Sequence, residues 1–177
     1  MNAKFHVPRS IKFPEAIDVT QSLLARMEAG KMSEEEIERA IASLVSSEDG
    51  ARGFFVTYLT DERSLADSPS GATIAALETS PEIVAELLTK NLAMSAAMSV
   101  AHRRNHNEKM AQDSERVCQR TANLIKQVKL ASLPEKLQEL NESAATGSGS
   151  YQEFLQRWNY DREQREMIQQ AIAKVNA

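Results

Sequence analysis

Cysteine is nearly absent from this chain. Cys118 is the single one among 177 residues, which excludes an intrachain disulfide and any metal site built from several thiolates. Aromatic residues make up only 5 %, so the core must be aliphatic, with alanine and methionine filling gaps between helices. Proline and glycine are both missing from Glu82 to Leu133, so nothing in that stretch forces a break. No run of 18 apolar residues occurs, so no membrane span is expected. The first residues contain Lys4, Arg9 and Lys12 but no apolar stretch, which does not fit a secretory leader. A cytoplasmic location is the default expectation. The net charge of −4 argues against a general polyanion binder.

What the chain does have is helix punctuation. Ser33/Glu36, Thr79/Glu82, Ser132/Glu135 and Ser150/Glu153 each place Glu three residues after a hydroxyl. In such a capping box the hydroxyl accepts from a backbone N–H, and the Glu accepts from the cap residue's own N–H. All four precede apolar runs of helical period. The pattern predicts an all-α protein, an irregular multi-helix bundle of about seven helices.

Residues 1–13 read as an irregular arm, and 14–177 as a single helical domain. A first helix is expected from Pro14 to Ala29, stopped by Gly30 in the left-handed conformation. A second follows the Ser33 cap, with Glu34, Glu35 and Glu36 at the positive end of its dipole. Phe54–Leu59 has strand propensity, yet Phe55, Tyr58, Leu59, Glu62, Leu65 and Ala66 repeat helically. Helix is expected from 51 to 66, because a lone strand would have no partner.

Residues 81–129 are either one long helix or a helical hairpin. As a single helix they would reach ~73 Å at ~1.5 Å per residue, against a radius of gyration of roughly 16 Å for a compact chain of this size. Residues 92–101 are small or apolar, and 102–108 are polar on every face. Asn105 and Asn107 tolerate the left-handed backbone of a turn, which favours a bend near 103–108. Residues 144–149 read as a flexible Gly/Ser linker. The last helix is expected to run from Ser150 to Val175, with Tyr151, Phe154, Leu155 and Trp158 as anchors and a solvated middle, 161–166.

Candidate chemistry is sparse. His102, Arg103, Arg104, His106 and Lys109 crowd one polar island and are the candidate ligand- or partner-binding residues. His102 and His106 lie one helical turn apart, but zinc needs a third ligand, the di-iron pattern Glu-x-x-His is absent, and two arginines repel a cation. No metal and no cofactor is expected. Residues 100–130 carry a net charge of +4, which would suit nucleic acid, but without any stacking aromatic. No group of nucleophile, acid and base stands out. Met94 and Met98 suggest close helix packing or a methionine-lined groove. The expected function is a non-enzymatic helical adaptor or regulator that binds an unknown protein partner or itself. The alternatives are an anionic small-molecule binder or enzyme with an inter-helix pocket near His102 and His106, and a nucleic-acid binder through 100–130.

Overall fold

The computed structural model describes residues 4–177. Among them the regular structure is helical throughout: α1 (Phe13–Glu28), α2 (Glu34–Val45), α3 (Glu48–Thr60), a 3-10 turn (Ser64–Ala66), α4 (Gly71–Leu77), α5 (Pro81–Arg104), α6 (Glu108–Gln127), α7 (Leu133–Thr146), α8 (Gln152–Arg157) and α9 (Arg162–Asn176). The fold is the expected all-α class. There are nine α-helices among the described residues rather than about seven. One is added because 81–129 forms two helices, the other because the C-terminal helix is broken. Of the expected arm, residues 4–12 lie outside helices, and the first three lie outside the described residues.

The chain divides into two compact units. The first runs to Leu87 and includes 127–130. Its core joins Leu23 and Leu24 of α1, Ile41 and Leu44 of α2, and the Phe54, Phe55, Tyr58 and Leu59 cluster of α3, all fully or almost fully buried. Phe54–Leu59 is therefore helical: its aromatics fall on one inward face, with Phe54 stacked on Tyr58 at 5.0 Å between ring centres. Each such buried ring contributes about 1.5–3 kcal/mol of transfer free energy. Gly53 lets α1 and α3 approach. A Cβ there would collide with the Ala16 Cβ and stand 3.0 Å from the Phe13 carbonyl oxygen, so only glycine fits this crossing. Two further segments close the unit: Ile11 of the arm is buried, and the Glu78 carboxylate accepts the Lys129 N–H at 2.9 Å.

Only one of the four expected capping boxes forms. Ser33 accepts from the Glu36 N–H at 3.2 Å, and Glu36 accepts from the Ser33 N–H at 2.9 Å. Thr79 instead donates to the Ala76 carbonyl at 2.6 Å, closing α4 rather than opening α5. Ser132 already has helical backbone angles and makes no cap bond, so its hydroxyl is not swung toward the first turn. Ser150 stands one residue too early, since α8 begins at Gln152. Ser47 and Ser70 cap α3 and α4 through single bonds, to the Gly50 and Thr73 N–H groups.

The second unit comprises 88–126 and 131–177. Leu92, Ala93, Ala96 and Ala97 of α5, Leu124 of α6, Leu137 and Leu140 of α7, Leu155 of α8 and Ile168 and Ile172 of α9 are buried. The helix pair α5–α6 forms the hairpin alternative. Its turn is a Schellman motif: the Asn107 N–H reaches the His102 carbonyl at 2.9 Å and the His106 N–H the Arg103 carbonyl at 3.1 Å, with His106 left-handed at φ 56. Asn107 then caps α6, its side-chain oxygen accepting from the Met110 N–H at 3.2 Å.

The same motif corrects the C-terminal helix. Asn159 is left-handed at φ 51, with the Tyr160 N–H bonded to the Leu155 carbonyl at 3.2 Å and its own N–H to the Gln156 carbonyl at 3.0 Å. A new helix starts at Asp161, whose capping box is spelled with Asp and Gln164 instead of Ser and Glu. Trp158, expected as an anchor, caps the end of α8, where left-handed Asn159 stops the helix, and is 48 % exposed. Residues 144–146, read as the start of a linker, complete α7, and left-handed Gly147 stops it by donating to the Ser143 carbonyl at 2.8 Å. The aromatics form two clusters, one in each unit: Phe54, Phe55 and Tyr58, and Tyr151, Phe154 and Tyr160.

Candidate functional site

The polar island forms the end of α5, the turn and the start of α6. Arg103 donates to Glu115 at 2.6 Å and to Glu108 at 3.4 Å. Those carboxylates, Glu115 first, raise its guanidinium above the ordinary arginine value. Arg104 reaches two carboxylates from the α9 start, with Nη2 3.1 Å from Asp161 Oδ1, Nη1 on Asp161 Oδ2 and Nη2 also on Glu163. The pair pulls the Asp161 carboxyl down to about 2 and raises Arg104. Lys109 spans one turn to Asp113 at 2.9 Å, which lowers that carboxyl. Of the five candidate residues, the three strong cations are therefore bound by carboxylates of the same unit.

The two histidines do not share a helical face. His102 is inside α5 and half-buried, whereas His106 is in the left-handed turn and exposed. The one-turn register assumed for a shared ligand is lost where the helix ends. Among the described residues no three His, Cys, Asp or Glu side chains gather at metal-binding distance. Cys118 is half-buried on α6, beside Ser95 of α5, and burial pushes its thiol up, away from the reactive thiolate.

Asp161, Glu163 and Gln164 are the site residues that the sequence reading missed. Gln164 is 8 % exposed and makes three bonds. Its side-chain N–H donates to the Ala97 carbonyl of α5 at 3.2 Å, its side-chain oxygen accepts from the Asp161 N–H at 3.1 Å, and its backbone N–H donates to Asp161 at 3.0 Å. The signal was present as Asp161-x-x-Gln164 two residues after Asn159, a residue that tolerates the left-handed stop.

Large apolar side chains exposed in this unit are Met98 of α5 (37 %), Met110 of α6 (46 %) and Trp158 of the α8–α9 turn (48 %). Met94, the other methionine of the suggested groove, is half-buried. In the first unit a polar groove of about 620 Å³ lies between Lys4–His6 of the arm and Ser33, Glu36 and Arg39 at α2. It carries both charge signs, and its Glu36 is already committed to the Ser33 N–H, which lowers that carboxyl.

The arrangement defines a helical protein whose basic turn is an internal ionic joint. The chain belongs to the family described as "Uncharacterised conserved protein UCP020893", whose model matches residues 12–175. No curated protein and no solved structure matches it. Among the described residues one helix, α5, is long and apolar enough to cross a membrane, with a mean hydropathy of 1.2 over an 18-residue stretch, and 61 % of that stretch is buried within the protein.

Proposed function

We propose that this protein is a non-enzymatic interaction protein, an adaptor or regulator of the cytoplasm, and that it docks a protein partner or a second copy through the second unit. The observation that carries the reading is Trp158. A tryptophan half in water loses much of its burial energy, yet here it stands on a hydrogen-bonded turn that left-handed Asn159 closes. Tryptophan is the side chain most enriched where interfaces concentrate their binding energy. Met98 and Met110 add adaptable apolar surface in the same unit.

The competing readings draw on groups that are already engaged. An anionic ligand at His102 and His106, or nucleic acid along 100–130, would recruit Arg103, Arg104 and Lys109 away from Glu108, Glu115, Asp161, Glu163 and Asp113.

Affinity capture from the source cell with the wild-type chain and with Trp158→Ala tests the proposal, with light scattering to detect self-association. Loss of a specific partner, or of a dimer, in the variant is the expected result. An unchanged set of captured proteins together with an unchanged mass overturns it. A melting curve of the variant, recorded alongside, separates lost docking from lost folding.

A further inference from the structure

We draw no further inference here: the strongest candidate, the exposed Trp158 on the turn between α8 and α9 with Met98 and Met110 in the same unit, carries nothing beyond the reading above because nothing in the structure shows what covers it.

Discussion

Arg104, the last residue of α5, and Asp161, the cap of α9, hold each other in a two-pronged ion pair. The Asp161 carboxylate serves both helices, since it also accepts the Gln164 N–H that would otherwise have no partner in the first turn of α9. Because Arg104 first, and then the Gln164 N–H, depress the folded-state carboxyl to about 2 from an ordinary 3.8, the pair favours folding above pH ~4. That contribution is lost as pH falls from about 4 through 2. Asp161→Asn keeps the cap oxygen and removes the charge. The stability gap between wild type and this variant should therefore be constant near neutrality and close below pH 4 in urea melts. A gap that persists at pH 2 would contradict this assignment. High salt should narrow it as well, since both side chains are over two-fifths exposed.

Gln164 ties the α9 cap to the α5 backbone. Gln164→Ala removes one buried bond to the Ala97 carbonyl and the return bond to the Asp161 N–H. Buried groups left without partners cost about 1–3 kcal/mol. Chemical denaturation should show a loss in that range, with faster amide exchange at Asp161. Gln164→Glu should not restore the Ala97 bond, because a carboxylate donates nothing.

At the α1–α3 crossing the absence of a side chain is the structural feature. Gly53→Ala would gain helix propensity in isolation. In place, the added methyl meets Ala16 and the Phe13 carbonyl, and overpacking of about 1–3 kcal/mol outweighs the propensity gain of about 1 kcal/mol. A thermal melt of this variant should fall. An unchanged or raised melting temperature would mean that α1 and α3 do not approach this closely.

His106 occupies a backbone conformation that costs an ordinary residue about 1–2 kcal/mol. His106→Gly should raise stability by about 1 kcal/mol in denaturant titration, while Asn159→Gly at the equivalent position of α8 should gain less, because asparagine tolerates that region. Destabilisation by His106→Gly would point to side-chain bonds that outweigh the strain.

The helical class was legible because apolar spacing is a property of each segment by itself. Gly30 is legible as a left-handed stop for the same local reason, and it has φ 64. The bend at 103–108 was legible only as one of two alternatives, since polarity on every face of residues 102–108 fits a turn and also an exposed middle of one long helix. Three of the four capping boxes were not, because a hydroxyl–glutamate spacing does not say which backbone turn the chain takes. Thr79 shows this directly, as its hydroxyl serves the helix before it. The Asp161 cap is masked in the sequence because 161–166 also satisfies i, i+4 charge pairing, and one such pair, Arg162–Glu166 at 2.9 Å, does form. In the candidate site the cations were visible, but the partners of Arg104, Asp161 and Glu163, are more than fifty residues away, and only the fold brings them together.

The claim that the second unit docks a partner is tested most directly by a photo-crosslinking side chain placed at position 158 in the living source cell, with the exposed helix position Gln119 as control. A discrete adduct, to another protein or to a second copy, at 158 and not at 119 is the result the account predicts. Equal labelling at both positions, or none at 158, would contradict it.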